Sequence, residues 1–363
     1  MKKAARLHRS ILASLLILLL AVSLVSLSLA SVPGDSTTTR FAVIGDFGKA
    51  GPDEEAVANL IQGWNVDFVA TVGDNNYPDG AASTIDENIG QYYHPFIKPY
   101  VGGYGSGAAD VNRFFPALGN HDWHDISCDA TGANCTGAHF DYFALPGNER
   151  YYDIPWGPVH LFIVNSNSAE PDGRNASSDQ AAWLQGALAT STAPWKLVFM
   201  HHAPYSSADR HGSTTTMQWP YKEWGADAVF AGHDHTYERL LIDDFPYFVD
   251  GVGGNSLRGF ANPPLEGSIV RYSDDYGAML VEASESSITY QFYNTQGELI
   301  DSYTVQEDAP PTATPTGTAT ATATATPTIT PAPGCYILTL VSVGFGDAPT
   351  ADPSGSAGCA TDH

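Results

Sequence analysis

Short apolar runs alternate with helix-period segments along the first two-thirds of the chain, and each run stops at a short polar signature. Phe41-Ala42-Val43-Ile44 runs into Gly45-Asp46, and residues 67–72 run into Gly73-Asp74. Residues 113–118 end at Gly119-Asn120-His121-Asp122, residues 195–200 at His201-His202, and residues 226–231 at Gly232-His233-Asp234-His235. A few consecutive apolar residues bounded by turn signals predict a buried strand. Between these strands the spacing predicts helices over residues 53–64, 83–97, 178–189 and 217–224. The first has Val57, Leu60, Ile61 and Trp64 on one face and Asp53 placed to cap its start. Residues 151–154 and 159–164 predict a hairpin. After His235 the pattern changes to strands without helices, over 237–243, 247–252, 278–281, 288–293 and 299–305. Strand-helix alternation that gives way to a meander predicts an α/β domain layered from mixed sheets rather than a barrel.

The chain ends differ from this pattern. Lys2, Lys3, Arg6 and Arg9 precede an apolar run over residues 11–29, and Ser28-Leu29-Ala30 is a small-x-small site. That is the form of a secretory signal peptide, residues 1–30, with an uncleaved membrane anchor as the alternative. Export implies a secreted or cell-surface location, with no membrane contact after cleavage. The globular domain is expected over 36–308. Residues 309–334 collapse to Thr, Pro and Ala, the composition of an extended linker. Residues 335–363 are too few for an independent domain; a truncated module and a small disulfide loop both fit.

A formal charge of −24 argues against a nucleic-acid backbone as partner. Of the four cysteines, Cys128 and Cys135 lie seven apart in a Gly/Asn/Thr-rich loop, where export favours a disulfide. Cys335 and Cys359 offer a second pair, and neither pair has zinc-knuckle spacing. Asn134-Cys135-Thr136 and Asn175-Ala176-Ser177 match the glycosylation sequon.

Set side by side, the five strand ends carry Asp46, Asp74, Asn120, His202 and the His233/His235 pair, each able to bind a metal. Functional groups collect at the carboxyl ends of strands in α/β domains. With Tyr77 there are seven candidate ligands, more than a tetrahedral zinc site uses. Two cations about 3.5–4 Å apart, bridged by a carboxylate, suit phosphoryl displacement.

In order and spacing these motifs resemble the calcineurin-like metallophosphoesterases, over residues 39–308. Within that superfamily three details are similar to the purple acid phosphatases. Tyr77 stands three residues after Asp74, His202-Ala203-Pro204 is similar to a His-x-Pro ligand motif, and His211-Gly212 follows nine residues later. The absence of a preceding fibronectin-like domain is more like the small mammalian-type, tartrate-resistant members than the large plant type. The resemblance implies a four-layer α-β-β-α sandwich of two mixed sheets flanked by helices. It implies Fe3+ held by Asp46, Asp74, Tyr77 and His235, and a divalent Fe2+, Zn2+ or Mn2+ held by Asp74, Asn120, His202 and His233. Asp74 would bridge, His201 would orient or support, and Asp234 would point away. His121 and His211, the latter on an otherwise Ser/Thr-rich mobile loop, would assist catalysis as a metal-bound hydroxide attacks a small phosphate monoester. A phosphodiesterase or nucleotidase on the same ligands, and a surface binding protein that does not turn over, are the alternatives.

Overall fold

The computed structural model describes residues 38–129 and 131–306. The expected signal peptide, linker, tail and Cys335/Cys359 pair lie outside the described residues.

Fifteen short strands are described. β1 (Thr39–Ile44), β2 (Phe68–Thr71) and β3 (Phe114–Pro116) run parallel. Antiparallel β13 (Gly277–Ala283), β14 (Ser287–Asn294) and β15 (Leu299–Gln306) extend them, giving the order β15-β14-β13-β1-β2-β3. The second sheet is built around parallel β7 (Val159–Ile163), β8 (Trp195–His202), β9 (Ala228–Gly232) and β11 (Phe245–Asp250). Antiparallel β6 (Tyr152–Trp156), β10 (Tyr237–Ile242) and β12 (Ser268–Tyr272) complete the order β12-β10-β11-β9-β8-β7-β6. β4 (Ser127–Cys128) and β5 (Cys135–Thr136) form a separate ribbon in which the Cys128–Cys135 disulfide joins paired residues.

The period-2 pleat distributes the apolar residues among layers. Phe41, Val43, Phe68 and Ala70 of the first sheet meet Leu197, Phe199 and Phe230 of the second in a core between the sheets. Ala42, Ile44 and Val69 face outward, against Val57 and Ile61 of α1 (Pro52–Gly63) and against Ile89 and Tyr93. On the opposite outer face, Val198 and Met200 pack on Ala181, Leu184 and Leu188. Those three belong to a later helix, Asp179–Thr190, numbered α5 in chain order after α2 (Gln91–Tyr93), α3 (Asn120–Trp123) and α4 (Ala138–Tyr142). The fold is therefore the four-layer α-β-β-α sandwich.

Four expectations change in detail. α1 begins with Gly51 at the cap position and Pro52 in the first turn, and no side chain caps it; proline's fixed φ suits that position. Asp53 lies inside the first turn with Glu54 and Glu55, where the helix dipole favours acids. The 83–97 segment is a π turn (Asp86–Gly90), α2 and a 3-10 turn (His94–Phe96) in succession. Residues 217–224 are not a helix: a 3-10 turn covers Thr215–Met217, and Pro220 lacks the donor a continuing helix needs. β12 is an additional strand. It lies at a sheet edge with Ile269 and Arg271 exposed, so its sequence lacks the apolar run of a buried strand.

Candidate metal centre

The carboxyl ends of β1, β2, β8 and β9 open on one crevice between the sheets, and the turns leaving them are unusually tight. Asp46, Asp74 and His233 all take positive φ (55°, 52° and 70°), a conformation that costs energy in non-glycine residues and concentrates at functional sites. The preceding glycines allow backbones to approach. A Cβ on Gly73, itself at φ +92°, would sit 2.7 Å from His201 Nδ1, and one on Gly232 would sit 2.5 Å from Asp46 Oδ2. The turns interlock, with Asp46 N–H donating to Gly73 O (3.0 Å) and His233 N–H donating to Asp46 Oδ2 (2.8 Å).

Two groups of side-chain atoms converge. In the first, Tyr77 Oη lies 2.9 Å from Asp74 Oδ2, 3.3 Å from Asp46 Oδ1 and 3.5 Å from His235 Nε2, and His235 Nε2 lies 3.4 Å from Asp46 Oδ1. In the second, His201 Nε2 lies 3.0 Å from Asn120 Oδ1, 3.2 Å from His233 Nδ1 and 3.4 Å from Asp74 Oδ1. Asp74 gives one oxygen to each group. Atoms of Asp46, Asp74 and His201 all fall within 4.8 Å of one another.

Six of the seven candidate ligands meet here. His201 also places its Nε2 in the second group, while His202 has Nδ1 2.9 Å from Ser166 Oγ and its ring 4.4 Å from that of His233. The pleat of β8 explains why the two neighbours differ. Trp195, Leu197 and Phe199 point between the sheets, and Val198 and Met200 point to the α5 side. His201 continues the inward series and is fully buried.

The donor set fits cations. His201 and His235 donate their Nδ1 protons to the carbonyls of Val72 (2.8 Å) and Ser256 (2.9 Å). That leaves each Nε2 aimed at the cluster, the arrangement by which backbone groups orient metal-binding imidazoles. Buried carboxylates also demand a positive charge nearby. Burial pushes Asp46 well up, His201 counters, and the Asp74 charge adds to the rise. Burial opposes ionisation of Asp74 too, yet the His201 and His121 imidazoles hold it below the usual range. Burial would depress His201, but Asp74 and Asp46 lift it to about 10. Burial and neighbouring His201 depress His202 to about 3 and His233 further, and burial lowers His235 to about 4. His202, His233 and His235 are thereby held as neutral imidazoles at ordinary pH, whereas His201 shares its proton with the Asp74 and Asp46 carboxylates.

Above the floor, a cavity of about 270 Å³ is lined by Asp74, Tyr77, His121 and His211, and also by Arg210 and Arg258. His121 donates Nδ1–H to Pro78 O, packs its ring 4.4 Å from that of Tyr77 and has Nε2 3.9 Å from Asp74 Oδ2. The ring of His211 lies 4.0 Å from that of His233. Asp234 points away from the centre and accepts from the backbone N–H groups of His211 (3.3 Å) and Gly212 (3.1 Å). These bonds join the Ser/Thr-rich loop to the turn that carries His233 and His235.

The family model described as calcineurin-like phosphoesterase matches residues 39–237. The chain belongs to that family. Among its relatives are purple acid phosphatase 17 of Arabidopsis thaliana, 25% identical over 74% of this chain and 85% of that protein, and purple acid phosphatase 4 of the same plant, 26% identical over 81% and 93%. In three dimensions the chain is similar to a purple acid phosphatase from yellow lupin seeds, with TM-score 0.59 and 21% identity over 76% of this chain. This calcineurin-like phosphoesterase spans 55% of the lupin protein's length. It is also similar in fold to the anchor protein of the inner membrane complex of Plasmodium, with TM-score 0.55 and 19% identity over 76% and 90% of the two chains.

Sequence reasoning did not single out Ser166, Arg210, Asn255 or Arg258. Asn255 and Arg258 follow β11, whose end carries neither a Gly-Asp nor a Gly-His signature.

Proposed function

We propose that the protein is an exported phosphomonoesterase that works with two metal ions. The observation that carries this reading is the pair of four-residue donor sets sharing Asp74. The oxygen-rich set, Asp46, Asp74, Tyr77 and His235, suits ferric iron; Asp74, Asn120, His201 and His233 suit divalent iron, zinc or manganese. His201 therefore replaces His202 in the ligand set, and His202 supports the site through Ser166. When bound, the pair of cations polarises phosphoryl oxygens and acidifies a water molecule. Water adds its oxygen to phosphorus, the ester P–O bond breaks, and the alcohol leaves with a proton while orthophosphate remains.

The side chains supply the rest. Burial and the Asp46 and Asp74 charges push the Tyr77 phenol far above its usual value, so it ionises only against a cation. His121, its Nδ1 proton held by Pro78 O, presents Nε2 to the cavity to bind a phosphoryl oxygen or protonate the departing alkoxide. His211 adds a second imidazole on the Ser/Thr-rich loop. The basic-then-apolar start of the chain supports export, and among the described residues no helix is long and apolar enough to cross a membrane.

Metal analysis, the visible spectrum and turnover of p-nitrophenyl phosphate against its bis ester test this reading together. We expect iron plus a second metal, a visible band lost or strongly shifted in Tyr77→Phe, and preference for the monoester at acid pH. A colourless, fully active protein with two zinc or manganese ions would remove the ferric assignment. Preference for the diester would replace the substrate class, and a protein without metal would favour a binding role.

A further inference from the structure

Two arginines stand at the opening of the cavity, and among the described residues neither has a carboxylate oxygen within ion-pair distance. Arg210 is exposed and Arg258 half-buried, and both line the same cavity as Asp74 and His211. Among the described residues the ion pairs of arginine involve Arg40, Arg150 and Arg239, and neither rim arginine joins one. The chain holds 40 acidic and 16 basic residues. In so acidic a protein, two adjacent unpaired guanidinium groups are not the average surface.

Nor are they on independent loops. Residues 206–212 and 256–261 form a short ribbon: Ala208 bridges to Phe260, Asp209 N–H donates to Gly259 O (3.1 Å) and Ala261 N–H donates to Ser207 O (2.8 Å). Each strand of the ribbon is anchored to the metal centre. Arg258 N–H donates to His235 O (2.9 Å), and Asp234 holds the His211-Gly212 backbone. The buried Glu238 carboxylate accepts from Ser207 N–H (2.6 Å) and braces the base. The two backbones are thus placed before a ligand arrives, which lowers the ordering cost of binding. The guanidinium charges reach inward: both contribute to depressing His211, after burial, which is the largest influence.

A lone phosphoryl group at the centre would already face the cations and the His121 and His211 imidazoles. Two further guanidiniums exceed what it needs. Guanidinium binds phosphate and carboxylate in the same two-point fashion. We propose that Arg210 and Arg258 form a second anion subsite, so that the preferred substrates are small phosphate esters carrying another phosphate or carboxylate near the one removed. This rests on the phosphomonoesterase reading for the word substrate, but the anion site itself does not.

The experiment separates the two. Binding of inorganic pyrophosphate and of orthophosphate to the metal-loaded protein is measured by calorimetry, in the wild type and in Arg210→Gln, Arg258→Gln and the double variant. Turnover of p-nitrophenyl phosphate, a bisphosphorylated sugar and a phosphorylated carboxylic acid is followed in parallel. We expect pyrophosphate to bind the wild type at least tenfold more tightly than orthophosphate, and that ratio to fall about tenfold in the double variant. The kcat/KM ratio of either doubly anionic ester to p-nitrophenyl phosphate should fall similarly. A loss confined to one of the two esters tells a phosphate subsite from a carboxylate subsite, and both support the proposal. Equal ratios in wild type and variants overturn it. Should the double variant not fold, the wild-type preference between 20 and 500 mM salt decides: a preference built by partly exposed cations shrinks with salt, and one that does not change overturns the proposal. A protein that keeps the pyrophosphate preference but hydrolyses no ester retains the subsite and loses the phosphatase reading.

Discussion

His201 and His202 are neighbours of one type, and only the side of β8 from which each leaves distinguishes them. His201 Nε2 faces Asp74, Asn120 and His233, whereas His202 Nδ1 faces Ser166. Alanine at each should therefore separate ligation from support. His201→Ala is expected to lose one metal and nearly all activity. His202→Ala is expected to keep both metals and lose about 10–100-fold in activity, as orienting residues do. Metal content per chain checks this, and a His202→Ala protein with one metal missing would reverse the assignment. Asp74→Ala should abolish metal binding and turnover together, because it gives an oxygen to each set; retained turnover would refute the shared role. Acid tolerance turns on another histidine. His139 is buried beside Phe140 and Phe143, and burial lowers it to about 4. Below about pH 6.5 the unfolded chain takes up a proton that the native imidazole refuses. Stability contributed by the neutral ring is therefore complete above that pH and lost as pH falls toward 4, at about 1.4 kcal/mol per pH unit. His139→Phe should flatten the dependence of Tm on pH across this window; an unchanged slope would show that other groups govern it.

The turns after the strands matter as much as the ligands they carry. Gly73 and Gly232 occupy points where another chain segment leaves no room for a side chain. Valine at position 232 would press on the Asp46 carboxylate, and the expected result is loss of metal with the secondary structure retained by circular dichroism. Among the helices, α5 has the clearest start: Ser178 Oγ accepts from Ala181 N–H at 3.2 Å. Ser178→Ala should cost about 1 kcal/mol, read as a Tm drop of roughly 2–4 °C for a domain of this size, with kcat unchanged. Runs of apolar residues made the central strands legible, and the Ser178 cap made α5 legible. Residues 217–224 misled because Met217, Trp219, Tyr221 and Trp224 are apolar at nearly helical spacing, yet they pack under the second sheet as irregular turns around Pro220.

The two sheets are joined by more than apolar contact. Arg239 of β10 donates Nε–H (2.7 Å) and Nη2–H (2.9 Å) to Asp301 of β15, and Tyr237 Oη donates to the same carboxylate (2.8 Å). This clamp ties the meander edge of the first sheet to the second. Asp301→Ala leaves a largely buried guanidinium without its partner, for which about 3–5 kcal/mol is expected. Thermal unfolding should show a fall of roughly 10 °C or more, whereas a fall under about 2 °C would place the residue among exposed pairs. Because the metal centre spans both sheets, the same variant should also bind metal more weakly.

The alternation of apolar runs with polar signatures was enough to specify the layered α/β architecture, the crevice at the strand ends and five of the residues that meet there, with Tyr77 added through the family resemblance. These are local properties: burial fixes the apolar runs, and tight turns fix their glycines. Which of His201 and His202 faces the carboxylates depends on pleat direction relative to a strand from another part of the chain. The place of Arg210 and Arg258 depends on two distant loops pairing with each other. Such relations arise only when the sheets close on one another, because pairing partners separated by tens of residues leave no local pattern. Hence Gly232-His233-Asp234-His235 could be read along the chain, while the arginine rim above it could be read only in the folded protein.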